Sequence, residues 1–502
     1  MTTPAPQPPQ GPEGRYPGQN RWKTLDKDLR RIGALEEATH LLGRPLVAPG
    51  IALAFIVLAG MAALVLVGAQ PGSAVIVAAA AIGAYMALNI GANDVANNMG
   101  PAVGANALTM GGALVIAAIF EVAGALIAGG DVVKTISTGI VAPGALPDGA
   151  TFVWAMMAAL LAAALWLNLA TMLGAPVSTT HSIVGGVVGA GIVAAGFGAV
   201  NWGAIGKIAA SWVISPVMGG LIAAVLLAFI KARVVYRDDK IAAARRWVPV
   251  LIGLMAGAFA AYLAMKGLSK VVKISLGSAL VIGAVTGLAT WAVMIPVIRR
   301  QSEGMENRKK SLKKLFALPL VASAALLSFA HGANDVANAV GPLAAIVHVA
   351  QSGSIDAQVA IPLWVMVIGA AGISFGLVLF GPKLIRMVGQ EITKLNPVRA
   401  YCVALSAAVT VIVASALGLP VSSTHIAVGA VFGVGFFREW YAERRALRLG
   451  VIKGNPVPVE DRARRKLVRR NHFLSIAAAW VVTVPASAAL SAVIFAALRA
   501  LA

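Results

Sequence analysis

Gly91 to Pro101 reads GANDVANNMGP, and Gly332 to Pro342 reads GANDVANAVGP, with nine of eleven positions identical. A second phrase is also duplicated: Gly174 to Gly191 is GAPVSTTHSIVGGVVGAG, and Gly418 to Gly435 is GLPVSSTHIAVGAVFGVG. Their order and spacing repeat too, with 82 residues from Asp94 to Pro176 and 85 from Asp335 to Pro420. A chain that carries a carboxylate, amides, hydroxyls and glycines twice in the same order reads as a carrier with its site where two repeats meet.

The surrounding composition sets the class. The 502 residues are 59% hydrophobic and 12% charged, and the mean hydropathy is +0.83. A soluble domain carries roughly 25% charged residues. Apolar runs near the ~20 residues needed to span ~30 Å of hydrocarbon as helix recur throughout. Thirteen are expected, near 46–68, 74–92, 111–128, 151–173, 176–196, 206–230, 248–264, 275–298, 316–333, 361–380, 399–417, 420–437 and 473–499. The expected fold is an all-α polytopic membrane protein. It has two inverted-topology repeats with broken helices and re-entrant hairpins, about twelve core segments, and an extra N-terminal helix at 46–68.

The net charge of +21 does not signify nucleic acid. The basic residues cluster in connecting loops: residues 299–314 hold seven Lys/Arg against two acids, and 438–470 hold eleven against four. Placing 1–45, 231–247, 299–315 and 438–472 on one side leaves an even number of segments between each pair. The positive-inside rule makes that side the cytoplasm. The two GAND phrases then enter the membrane in opposite senses, as do PVSTTH and PVSSTH. The expected organisation is a cytoplasmic extension at 1–45 with a short amphipathic helix at 21–44, the extra helix and first repeat at 46–230, bridging helices and basic loops at 231–315, and the second repeat at 316–502. Cys402 is the single cysteine, which excludes an intrachain disulfide and CxxC chemistry.

Asp94 and Asp335 are the central candidates. A carboxylate at membrane depth needs a cavity, a partner or an ion. Flanked by Asn93 and Asn97, or by Asn334 and Asn338, it offers hard oxygen ligands for a small cation. The motif glycines are expected to let the backbone unwind there. In the second phrase, Ser178, Thr179 and Thr180, with Ser422, Ser423 and Thr424, supply hydroxyls just after a helix break. Pro176 and Pro420 suit a first helical turn, whose free N–H groups favour an oxyanion. The following glycines, 185, 189 and 191 with 429, 433 and 435, suit close helix approach. His181 and His425 end the phrases and are read as braces rather than proton carriers. Glu121 is an intramembrane acid without a counterpart, since the same spacing from Asp335 lands on Pro362; Glu391 is considered for that role. His331 stands where Ile90 stands in the first copy and ranks below these. No Lys or Arg lies inside either phrase, so a bound anion needs co-bound cations. The GxxxxGK(S/T) loop of ATP-driven pumps is missing, a serine nucleophile of the GxSxG type would need a base and a triad context that the PVST phrases do not provide, and no enzyme is expected.

These phrases resemble the signatures of the inorganic phosphate transporter family. GANDVANN and GANDVANA are similar to its two acidic copies, GAPVSTTH and GLPVSSTH to its paired serine/threonine motifs, and GPKLIRMVGQEITKLNPVRA to a stretch before the second. The resemblance covers residues 74–499. It implies a phosphate symporter of a bacterial plasma membrane, N-terminus cytoplasmic, without cofactor beyond its coupling ion. Sodium is favoured and proton is the alternative. Carried over by motif, Asp94, Asn97, Asp335 and Asn338 take the cation, with Asn93 and Asn334 beside them, and the six hydroxyl residues take phosphate. The rival readings are a proton-coupled metal–phosphate symporter, a sulfate permease and, more remotely, an anion channel or sensor. The expected partners are inorganic phosphate and membrane lipid, with a homodimer left open.

Overall fold

Glycine and alanine decide how closely the helices of this chain pack. The computed structural model describes residues 46–70, 72–141, 145–175, 177–268, 272–355, 360–391, 395–448 and 470–501. The extension at 1–45, with its expected amphipathic helix, lies outside them, as does Pro176. The chain divides into a unit ending at Leu53, whose described part is the start of α1, and a second unit, Ala54–Ala502.

The helices are α1 Leu46–Val67, α2 Ser73–Gly104, α3 Met110–Ala128, α4 Gly130–Thr138, α5 Gly149–Leu173, α6 Thr179–Ala195, α7 Trp202–Ile230, α8 Lys240–Lys266, α9 Leu276–Gln301, α10 Lys309–Leu315, α11 Ala317–Asp335, α12 Ala337–Ser352, α13 Leu363–Glu391, α14 Pro397–Ala416, α15 Ser423–Arg448 and α16 Arg470–Leu501. Among the described residues, eleven helical stretches are long and apolar enough to cross a membrane, and the chain is a multi-pass membrane protein. The other two of the thirteen expected segments are α6 and α15, which carry the serine phrases. With 17 residues, α6 is about 26 Å long, short of the ~30 Å hydrocarbon core.

Several starts are capped by side chains. Thr109 accepts from Gly112 N, Asn201 from Ala204 N, Asp239 from Ala242 N, Ser275 from Ser278 N and Asn396 from Arg399 N. At the start of α5, Asp148 accepts from Thr151 N, and this bond holds its carboxyl below the usual carboxylate range.

Close helix crossings come in matched pairs. A methyl group added at Gly91 of α2 would strike the Ile373 carbonyl of α13; one at Gly332 of α11 would strike the Glu121 carbonyl of α3. Gly376 of α13 meets Leu88, and Gly124 of α3 meets Phe329, in the same way. Gly185 and Gly189 of α6 lie against Val484 and Ala488 of α16, while Gly429 and Gly433 of α15 lie against Pro216 and Gly220 of α7. The expected close helix approach is therefore found at 185, 189, 429 and 433, whereas Gly191 faces Val141 in the connection after α4. Each acidic phrase packs on a helix that follows the other one.

Two local expectations are corrected. The first GAND phrase does not unwind: α2 continues through Asp94 to Gly104. At the second, the break between α11 and α12 is one residue, Val336, whose own φ −56° and ψ −31° are helical. The motif glycines serve helix contact instead, and along α2 the unbroken intrahelical ladder keeps the backbone carbonyls occupied. Pro420 is not in the first turn of α15; it lies before Ser422, whose Oγ accepts from His425 N. Cys402 is fully buried in α14, as a structural thiol would be.

Candidate functional site

Helical spacing puts Asp94 and Asn97 on one face of α2, and packing turns that face inward. Asp94, Glu121, His331 and Asp335 are each at most 1% exposed. Side-chain oxygens of the two aspartates and one imidazole nitrogen of His331 all lie within 4.8 Å of one another. His331 Nε2 is 2.8 Å from Asp335 Oδ2 and 3.6 Å from Asp94 Oδ2, while Nδ1 is 3.2 Å from Glu121 Oε1. Asn98 Nδ2 donates to the same Glu121 oxygen at 3.0 Å.

The two kinds of phrase meet at this cluster. Thr424 Oγ1 donates to Asp94 Oδ1 at 2.9 Å and accepts from Asn97 Nδ2 at 2.9 Å. Across the cluster, Asn338 Nδ2 approaches Thr179 and Thr180 Oγ1, each at 3.2 Å, and Asp335 Oδ1 at 3.4 Å. Ser423 Oγ donates to Asp335 Oδ2 at 2.9 Å. Thr180 has one hydroxyl proton and two acceptors, Val421 O at 3.0 Å and Asp335 Oδ1 at 3.4 Å; the shorter contact with Val421 joins the start of α6 to the loop before α15.

The flanking asparagines match as well. Asn93 Nδ2 donates to Thr171 Oγ1 at 3.2 Å and Asn334 Nδ2 to Ser415 Oγ at 2.9 Å. Thr171 and Ser415 each stand three residues before the glycine that opens a serine phrase, a correspondence visible in sequence but not used above. Among the described residues, the amide nitrogens find acceptors, while Asn93 Oδ1, Asn334 Oδ1, Asn338 Oδ1 and Asp94 Oδ2 are buried with no hydrogen-bond partner. Buried acceptors without a donor are costly. Their chemistry suits a hard cation, and the cluster offers no Lys or Arg.

Ser178 and Ser422 have a different employment. Their Oγ atoms accept from His181 N at 3.2 Å and His425 N at 3.3 Å, satisfying N–H groups that a helix start leaves over. His181 and His425 join a row of ring contacts, edge to face between the two histidines and stacked only between His425 and Trp480. The centroid separations are 3.8 Å for Trp212–His181, 4.4 Å for His181–His425 and 3.6 Å for His425–Trp480. Trp212 Nε1 also donates to Pro420 O at 3.0 Å. This braces the starts of α6 and α15 against α7 and α16. The side chain of Glu391 lies outside the described residues.

The counterpart of Glu121 is not Pro362. Gly91 packs on Ile373 as Gly332 packs on Glu121, so Ile373 matches Glu121, and Ile90 matches His331 one residue before the glycine. The crossing of α11 on α3 carries a fully buried Glu–His pair where the matched crossing of α2 on α13 carries two fully buried isoleucines. Sequence spacing missed this because the connection after the acidic phrase differs in length between the halves.

The profile of the Phosphate transporter family matches residues 90–491. The chain belongs to the phosphate transporter family. This family member is similar to an inferred phosphate permease of Helicobacter pylori, 44% identical over 94% of the chain and 98% of the relative. It is also similar to one of Chlamydia trachomatis, 37% identical over 84% of the chain and 97% of the relative. Among solved structures it resembles one titled the sodium-dependent phosphate transporter, with a TM-score of 0.76 and 36% identity over 86% of the chain and all of that structure. A family of permeases bears out the expectation that the protein is not an enzyme.

Proposed function

We propose that this protein imports inorganic phosphate across a bacterial plasma membrane by sodium symport and alternating access. The observation that carries the reading is the cross-pairing at the cluster. Carboxylates of the acidic phrases are held by hydroxyls of the serine phrases, and amide oxygens beside them lack donors. On this reading Asp94, Asn97, Asp335 and Asn338, helped by Asn93 and Asn334, bind sodium. Thr179, Thr180, Ser423 and Thr424, with the N–H groups at the starts of α6 and α15, bind phosphate. Ser178 and Ser422 hold those starts in shape.

Coupling follows from shared hydroxyl protons. Thr424 and Ser423 donate to Asp94 and Asp335. A cation on the carboxylates replaces that donation and frees the hydroxyls to turn to a phosphate oxygen. The anion in turn strengthens cation binding, and the effect is reciprocal in free energy. Three carboxyl groups against one imidazole leave the buried cluster short of positive charge, which bound cations make good.

Two inverted repeats, 46–230 and 316–502, joined by the bridge at 231–315, with 1–45 as a cytoplasmic extension, complete the proposal. The matched crossings of α2 on α13 and α11 on α3 support it. Proton coupling is the second reading, favoured by His331, which touches carboxyls on both its nitrogens. Uptake of phosphate and sulfate into proteoliposomes under separately imposed sodium and proton gradients is the test. Phosphate accumulation driven by sodium alone is expected. Accumulation driven by protons alone replaces the coupling ion, sulfate preference replaces the substrate, and downhill flux without accumulation removes the symport.

A further inference from the structure

The α8–α9 hairpin lies apart from the cluster and has a construction of its own. Gly253 and Gly257 of α8 face Gly287 and Gly283 of α9 so closely that a methyl group on any of the four would run into the partner helix. Backbones in such contact leave side chains standing to either side. The result is a groove of about 660 Å³ lined by apolar residues of both helices. Its walls include Leu254, Leu280 and Leu288, which are 68%, 58% and 64% exposed. Only 11% of the apolar stretch of α9 is buried within the chain, so the groove opens to the bilayer.

One end of this groove is basic. Steps of four residues continue its α8 row from Leu254 through Val250 to Arg246, and its α9 row from Gly287 through Trp291 and Ile295 to Arg299. The helices run antiparallel: Arg245 Nε donates to Ser302 Oγ at 2.6 Å where their ends meet. Arg246 and Arg299 therefore stand at the same end, both exposed. Arg246 lies over the Trp247 ring, 5.7 Å from its centroid, and Arg300 follows beside Arg299. The ion pairs formed by described residues include none of these three arginines.

We propose that the groove binds one anionic glycerophospholipid, with an acyl chain on the glycine floor and the phosphodiester between Arg246 and Arg299. From Val250 to Ala261 the groove follows α8 for about 16 Å at 1.5 Å per residue, a path long enough for most of one acyl chain. A zwitterionic lipid satisfies the apolar part but brings an ammonium group to an already cationic rim. A symmetric second copy on this face repeats the same arginines across the contact, like charge against like.

The test uses the purified full-length protein, stripped of lipid in detergent and titrated with phosphatidylglycerol or phosphatidylethanolamine of the same chain length under native mass spectrometry. Phosphatidylglycerol is expected to bind at lower concentration. Arg246→Gln with Arg299→Gln should weaken that binding by about tenfold and leave phosphatidylethanolamine unchanged. Ala258→Phe keeps both arginines but fills the groove, and should weaken both lipids; Ala284→Phe does so from α9 if the first variant does not fold. Phosphatidylglycerol with a diazirine on its acyl chain should crosslink to 250–261 and 280–291 in the wild-type protein. Equal binding of the two lipids, indifference to the paired arginine change, or crosslinks confined to other helices overturns the proposal. A doubled mass that replaces bound lipid and is abolished by Ala258→Phe also overturns it, in favour of a second copy.

Discussion

At the scale of single residues, the candidate site is a set of carboxyls whose surroundings differ between the two matched helix crossings. Asp94→Asn and Asp335→Asn keep size and lose the charge that attracts a cation. Each is predicted to lower sodium-driven phosphate uptake by at least about a hundredfold, roughly 2.7 kcal/mol in barrier terms; near-normal accumulation in both would remove the carboxylates from cation binding. The Glu121–His331 pair permits a sharper test. Glu121→Gln and His331→Gln act on one contact, so the double variant should lose less than the sum of the singles, with a coupling of about 0.5–3 kcal/mol in thermal unfolding. Its counterpart can be exchanged. Ile373→Glu alone places a carboxyl beside Ile90 and should cost about 3–5 kcal/mol, of which Ile90→His should restore a part. If the double variant is no more stable than Ile373→Glu, the correspondence drawn from Gly91 and Gly332 is wrong. His331 was undervalued in sequence because a residue present in one copy stands out less than one present in both.

At the scale of the elements, glycine contacts set which helices can meet. Gly91→Ala and Gly332→Ala each put a methyl group into the carbonyl of a crossing helix. Overpacking of this kind costs about 1–3 kcal/mol, read as a lowered melting temperature in detergent; an unchanged value would mean that the crossings are looser than described. Ser178→Ala and Ser422→Ala remove the caps of α6 and α15, at about 1 kcal/mol each. Thr424→Val removes the donor to Asp94 and should weaken phosphate-dependent uptake more than it lowers the melting temperature. The opposite ranking would make Thr424 a structural residue. That α6 and α15 start at serine phrases was legible from the hydroxyl residues and the proline ahead of them. That Ser178 and Ser422 point their oxygens back at His181 N and His425 N was not, because the same residue types serve either as cap or as ligand.

At the scale of the whole molecule, the charge of the connecting segments sets the expected orientation. Cys402 is buried and should ignore a membrane-impermeant maleimide, so single introduced cysteines can report sidedness. Lys310→Cys in the basic helix α10 is predicted to label only from the cytoplasmic side, and Lys273→Cys in the α8–α9 connection only from outside. The reverse pattern would invert the topology. The basic loops give this expectation without a structure, since positive charge is retained on the cytoplasmic side.

The sequence by itself determined the solvent, the hydrophobic segments and the residue types of the candidate site, because long apolar runs and near-identical repeated phrases survive without knowledge of contacts. Tertiary structure alone decided which phrase faces which, that α2 stays helical through Asp94, and that Glu121 and His331 meet where α11 crosses α3 while Ile90 and Ile373 occupy the matched crossing of α2 on α13. The physical reason is that these pairings depend on helix crossings between segments remote in the chain. Backbone contact at glycine determines those crossings, and no local pattern of residues encodes the partner.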